Sequence, residues 1–174
     1  EIGVRLVGSE MCIRDSRINA GLGKTEDEYY QAIAKSFLVS CDNAHALHPN
    51  HAEKTDAVNF VTMNGGIVIK ESANQKYTTD AFSRALFTGV CQNVNVPVQS
   101  FANRSDVVGG STLGNLSNTQ VSVHAVDFGL AQLAMHSCFE TAGVKDTEYA
   151  IVALKEFYET NVQIEEAESV CLEK

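Results

Sequence analysis

The sequence lacks a surplus of positive charge, a Cys-x-x-C pair, any long apolar run and any internal repeat. Each lack narrows what the chain can be. Thirteen Lys and Arg stand against 22 Asp and Glu, a formal charge of −9, whereas binding nucleic acid requires clustered basic side chains to neutralise phosphates. The same balance disfavours docking on an anionic membrane. No stretch approaches the ~20 apolar residues of a membrane-spanning helix. The five cysteines, Cys12, Cys41, Cys91, Cys138 and Cys171, are scattered. That spacing suits free thiols in a reducing cytoplasm better than a disulfide frame or a Cys-zinc knuckle, so a cytoplasmic location is expected. Otherwise the composition is ordinary for a globular protein, 44% hydrophobic and 20% charged without tryptophan, and 174 residues suffice for one domain with a sizeable core.

What the chain does have is a concentration of chemistry after one short apolar run. Ser36-Phe-Leu-Val-Ser40 is bounded by polar residues and too brief for a helix, so it reads as a buried strand. Asp42 follows it after Cys41, and His45, His48 and His51 crowd the next nine residues. A carboxylate at the C-terminal end of a strand stands where open α/β sheets place their ligands. Imidazoles nearby are zinc ligands and proton carriers. A polar loop with surface histidines is the plainer alternative.

Along the chain, residues 1–16 fit neither helical nor strand periodicity and look like a translated junction or adapter; they are set aside from the fold reading. The expectation is a chain that begins inside a larger protein, with one domain over 17–160 and an acidic, loose tail over 161–174. Thr25 and Glu28 form a capping-box pattern for a helix between Lys24 and Lys35. After the histidine loop and an irregular stretch, Gly65-Gly66 predicts a turn and Ile67–Lys70 a second strand. Thr79 is the expected cap of a helix from Asp80 to about Asn93, with Phe82, Ala85, Leu86 and Val90 as its core stripe. Val96–Phe101 and Val121–Phe128 read as third and fourth strands, and Leu130–Ser137 as the start of a helix or its approach. A last helix from Thr147 to about Tyr158 is expected to bury Ala150, Ile151, Ala153, Leu154 and Phe157. Strands alternating with helices in this rhythm predict an α/β sandwich over a mostly parallel or mixed sheet. The glycines of Gly109–Gly114 match neither a Walker loop nor a dinucleotide fingerprint.

Four segments are more specific than composition. Ser40-Cys-Asp-Asn-Ala-His-Ala-Leu-His-Pro-Asn50 resembles the S-x-D-x-A-H-A-x-H-P-N signature of the aspartyl aminopeptidase family of metallopeptidases. Ile67-Val-Ile-Lys-Glu-Ser-Ala-Asn-Gln-Lys-Tyr77 is similar to that family's V-I-K-x-x-x-x-Q-x-Y segment. Asn103-Arg-Ser-Asp106 with Gly110-Ser-Thr-Leu-Gly114 resembles its N-R-S-D…G-S-T-x-G loop, and Gln132-Leu-Ala-Met-His-Ser137 carries its L-A-M-H-S motif. The motifs stand in the family's order between about Arg17 and Tyr158.

The resemblance implies the C-terminal part of a zinc-peptidase α/β/α sandwich. It implies a cytosolic, homo-oligomeric exopeptidase that removes N-terminal residues, acidic ones by the family's name, with two co-catalytic zinc ions (cobalt or manganese as alternatives). Carried over residue by residue, Asp42 is a terminal ligand of one metal and His136 a ligand of the other. His45, His48, Lys70 and Tyr77 face the peptide substrate, Lys70 as a fixed positive charge, and the Gly109–Gly114 loop borders the site. His51 and His124 are left as surface or structural residues. The family's first histidine ligand, bridging aspartate and Glu-Glu pair, which holds the general base, are expected upstream, so this chain should carry a half-site without the base.

Overall fold

The computed structural model describes residues 13–166 and 169–173. Of the segment set aside above, residues 1–12 lie outside the described residues, and 13–16 are helical and continuous with 17–21 (α1). Next comes α2 (Glu26–Ala34), with the expected capping box: the Thr25 hydroxyl accepts from the Glu28 amide, and Thr25 N–H donates to the Glu28 carboxylate at 2.8 Å.

The centre is a mixed four-stranded sheet in the order β1 (Phe37–Cys41), β5 (His124–Gly129), β3 (Ile67–Glu71), β4 (Val98–Ala102). β1 runs parallel to β5 and β3 to β4, while β5 and β3 are antiparallel. Because strand side chains alternate between faces, this register sorts the sheet into two unlike surfaces. One carries Ile67, Ile69, Val126 and Phe128 against Phe87 and Cys91 of α3 (Ala81–Asn93) and Ala150 and Ala153 of α5 (Val144–Glu159). The Phe87 and Phe128 rings meet at 4.9 Å, and each such side chain contributes about 1.5–3 kcal/mol by burial. On the other surface Ser40 pairs in register with Asp127, and Lys70 with Phe101. Polar side chains at buried positions are the exception in a core. Here they gather on the surface opposite the apolar one.

Small elements cover that face. β2 (Ala44–His45), β6 (Ala131–Leu133) and β7 (Thr141–Ala142) make a second, three-stranded sheet, and α4 (Leu113–Asn118) lies beyond. Among the described residues no helix is long and apolar enough to cross a membrane.

Several expectations need correction. β1 is an edge strand, so Phe37, Leu38 and Val39 are half-buried rather than buried. β5 starts at His124, not Val121; sandwiched between β1 and β3, it is buried on both faces over Ala125–Gly129 and does not alternate. Leu130–Ser137 opens no helix: it forms β6 beside β2, and Ala134 and His136 then take φ of 56° and 66°, outside helical backbone. Asp80, not Thr79, caps α3. Its buried arc is Ser83, Leu86, Phe87, Val90 and Cys91, with Ala85 exposed; apolar residues lie on both candidate arcs, so spacing alone selects neither.

The last helix begins at Val144 because the buried Asp146 carboxylate accepts from Asn64 N–H at 2.6 Å and Gly66 N–H at 2.9 Å, fastening its first turn to the Gly65-Gly66 turn. Ile151 is 64% exposed. The tail is not loose: β8 (Asn161–Glu166) and β9 (Ser169–Glu173) form an antiparallel hairpin. Its Ile164 is buried and its Leu172 lies over Gly89 of α3.

Cys91 provides a chemical test of the α3 packing. Burial pushes its thiol up to about 12, and only the thiolate reacts readily. At pH 8 a folded sample treated with a thiol reagent should therefore label Cys138 and Cys171, both exposed, while Cys91 stays unlabelled until denaturant is added. Rapid labelling of Cys91, read by peptide mapping, would refute the packing.

Candidate active site

The ladder of β1 continues past its end. Asp42 N–H donates to Phe128 O at 2.8 Å, Ala44 N–H to Leu130 O at 2.9 Å and Ala46 N–H to Gln132 O at 2.8 Å. The Asn43 side chain locks the same junction, accepting from Leu130 N–H at 3.1 Å and donating to Gln132 Oε1 at 2.5 Å. Segments far apart in sequence thus run side by side: the Ser40–Asn50 motif lies along the strand that leads into the Gln132–Ser137 motif. Gly129 permits the approach, since a Cβ there would stand 1.9 Å from Asp42 O.

Three predicted site residues come together at the sheet. Lys70 is only 2% exposed, and its Nζ lies 3.3 Å from Asp42 Oδ2 and 3.4 Å from Asn43 O. It also lies 5.0 Å from the centre of the Tyr77 ring, within cation–π range. The ammonium is therefore directed at Asp42 and Tyr77, deep in the fold, while the Asp42 side chain stays 49% exposed. Tyr77 OH accepts from Asn103 Nδ2 at 3.0 Å. Burial pushes the tyrosine pKa up; the Asn103 hydrogen bond opposes this, and the charges of Asp42 and Asp127 reinforce it.

His45 and His48 belong to a second group. They line a cleft of about 520 Å³ together with His51, Asn103, Arg104 and Gln132. The His48 and His51 rings stand 5.1 Å apart, and His51 Nδ1 lies 3.1 Å from Glu53 Oε1. Arg104 forks onto Asp106 at 2.9 and 2.6 Å and donates to the Glu53 carbonyl, tying the histidine loop to the end of β4. Asn103 joins the two groups, lining the cleft while holding the Tyr77 hydroxyl. His136 lies four residues beyond Gln132, exposed, with its N–H donating to Glu140 Oε1 at 2.6 Å.

Asn103, Arg104, Gln132 and His51 were not singled out for the cleft from sequence, although three of them lie inside the quoted motifs. Asp127 was missed as well. Its signal was a lone carboxylate within the apolar run Ala125-Val-Asp-Phe128.

Catalytic zinc is held by three protein ligands and a water. Asp42 and His136 offer suitable carboxylate and imidazole atoms. Among the described residues, however, no three His, Cys, Asp or Glu side chains group so as to hold a metal ion. These residues alone do not make a zinc site.

Comparison with known proteins agrees with the motifs. A family model described as "Aminopeptidase I zinc metalloprotease (M18)" matches residues 10–158. "Probable M18 family aminopeptidase 2" of Clostridium novyi (strain NT) is 45% identical over 142 residues, 82% of this chain and 33% of that protein. The chain thus spans about a third of the length of this relative. Among solved structures, the one titled as the Ape4 and Nbr1 complex matches with a TM-score of 0.75 and 41% identity, over 78% of this chain and 26% of that one. The mApe1 dodecamer of S. cerevisiae matches with a TM-score of 0.66 and 27% identity, over 75% of this chain and 28% of that one. With the motifs, the fold and the family match in agreement, the chain belongs to the M18 family of aminopeptidase I zinc metalloproteases.

Proposed function

We propose that the full-length protein is a cytoplasmic, homo-oligomeric, metal-dependent aminopeptidase, with acidic N-terminal residues as its preferred substrates. The observation that carries this reading is the backbone ladder that lays the Asp42 loop along the strand leading to His136, beside the cleft of His45 and His48. In this reading Asp42 and His136 each supply one ligand to a pair of zinc ions. The remaining ligands and the general base are assigned to residues other than the described ones, a reading supported by the lack of a three-ligand group among the described residues. Lys70 keeps Asp42 oriented and places a positive charge behind it. Tyr77, anchored by Asn103, presents a hydroxyl at fixed height. His45, His48 and Arg104 give the cleft nitrogen donors for a carboxylate side chain, with Arg104 also paired to Asp106 and with Asp56 on the same wall. Homo-oligomerisation is supported by the dodecameric relative.

The test compares the full-length protein with this chain on peptides starting with Asp, Glu and Leu, each supplied with zinc, cobalt or manganese. Full-length protein should cleave, Asp and Glu peptides fastest, and the chain alone should not, because hydrolysis needs a base within hydrogen-bond reach of the water. Full-length turnover with Leu preferred would refute the substrate class. Turnover by the chain alone would refute the shared site. A full-length protein that binds metal yet cleaves nothing would point instead to a non-catalytic metal-binding or assembly domain.

A further inference from the structure

The most completely enclosed carboxylate on the surface opposite the apolar one has no role in the reading above. Asp127, in the middle of β5, is 0% exposed. Its Oδ2 accepts from Thr78 N–H at 2.6 Å, Thr78 Oγ1 at 2.9 Å and Thr112 Oγ1 at 2.9 Å. Its backbone is engaged as well: Asp127 N–H donates to Thr79 Oγ1 at 2.9 Å, and that hydroxyl lies 3.4 Å from Asp127 O. Thr78 and Thr79 follow Tyr77 directly, and Thr112 is the N-cap of α4 at the end of the glycine loop. One buried oxygen therefore fastens two loops that otherwise belong to different parts of the chain.

The surroundings reinforce the junction. Gly114 N–H donates to Ser40 Oγ at 3.0 Å. A Cβ on Gly114 would stand 2.8 Å from Ser40 Cβ and 2.9 Å from Asp127 Oδ1, so α4 sits as close to the sheet as a backbone can. Tyr77 is consequently held at both ends, through Thr78 and Thr79 at its backbone and through Asn103 at its hydroxyl. Its ring in turn faces the Lys70 ammonium.

We propose that Asp127 is a positioning residue that locks the Tyr77 loop to the Thr112 loop, and that this lock sets where Tyr77 and Lys70 stand toward the substrate. The second half rests on the aminopeptidase reading; the first does not. Hydrogen bonds to an ionised carboxylate are the strong ones. Losing one of these three should free the remote loop measurably without unfolding the sheet.

The experiment uses full-length protein and four variants: D127N, T112V, T112S and N115A. The last removes the direct Asn115–Gln75 contact between α4 and the Tyr77 loop while leaving Asp127 untouched. Hydrogen exchange followed by mass spectrometry is expected to speed about tenfold over residues 77–80 in T112V, as for loss of one charge-assisted bond. It should speed over both 77–80 and 111–118 in D127N, and stay near wild type over 77–80 in T112S and N115A. In steady-state assays T112V should raise KM for peptide about tenfold with a smaller change in kcat and unchanged metal content, and T112S should restore wild-type values. Exchange in T112V that changes only over 111–118, or equal effects in N115A, would overturn the lock. If the exchange pattern holds and an active wild type shows no KM change in T112V, its link to substrate is overturned. A wild-type protein that cleaves no peptide would count against the aminopeptidase reading, leaving the lock to be decided by exchange alone.

Discussion

Replacing Asp42 with asparagine, or His136 with alanine, should lower peptide turnover by the full-length protein more than about a hundredfold, since even outer partners of metal ligands cost 10–100-fold when removed. Both variants should also retain less zinc after dialysis. Asparagine is the better probe at Asp42, because it keeps the shape of the side chain and leaves an acceptor for the Lys70 ammonium, which is 2% exposed and poorly placed to lose its partner. His136 needs no such care: the residue is exposed, so alanine should leave the melting temperature within about 2 °C of wild type. Metal analysis beside kinetics decides the matter. Normal zinc content in both variants would remove these residues from the ligand set, even if activity fell.

Gly129→Ala should be severely damaging. The added Cβ would stand 1.9 Å from Asp42 O, 2.5 Å from Asp42 C and 2.8 Å from Asn43 Cα. All three are backbone atoms, so no side chain can rotate aside. To admit the methyl group, β1 must leave β5 where the ladder passes from Cys41 into the metal-ligand candidate. A destabilisation above about 4 kcal/mol is expected, in the range reserved for disrupted cores and broken networks. Gly110→Ala is the matched control, because nothing lies within 4 Å of its Cβ. Soluble yield and thermal melts of the two variants should diverge sharply. A Gly129→Ala protein melting like Gly110→Ala would show that the two strands do not meet this closely.

Features legible in the sequence were those decided within a few residues. Thr25 and Glu28 cap α2 by bonds that reach no further than three positions, and the pattern was visible as written. The cap of α3 looked equally local, with Thr79 and Asp80 both suitable. The choice between them is made by Asp127, which engages the Thr79 hydroxyl from across the sheet and leaves Asp80 to cap. β6 is similar: Ala131–Leu133 has no strong strand signature and becomes a strand because β2 lies alongside. The motifs identified Asp42, Lys70 and Tyr77 by type, yet nothing in their spacing showed that a buried ammonium would bind one and stack on the other.

The strand order has a kinetic consequence. β5 fills the gap between β1 and β3, yet it is made long after both: Phe37 must wait for His124, and Ile69 for Phe128. Until β5 inserts, the chain holds two separated halves of a sheet, with Asp42 on one and Lys70 on the other. Pairings between such distant partners require closure of long loops and are slow. Assembly of the Asp42–Lys70 pair should therefore be a late event in folding, gated by arrival of a single six-residue strand. Chains stalled before residue 124 during synthesis would expose two apolar strand edges at once, and such species are the ones that aggregate or need a chaperone.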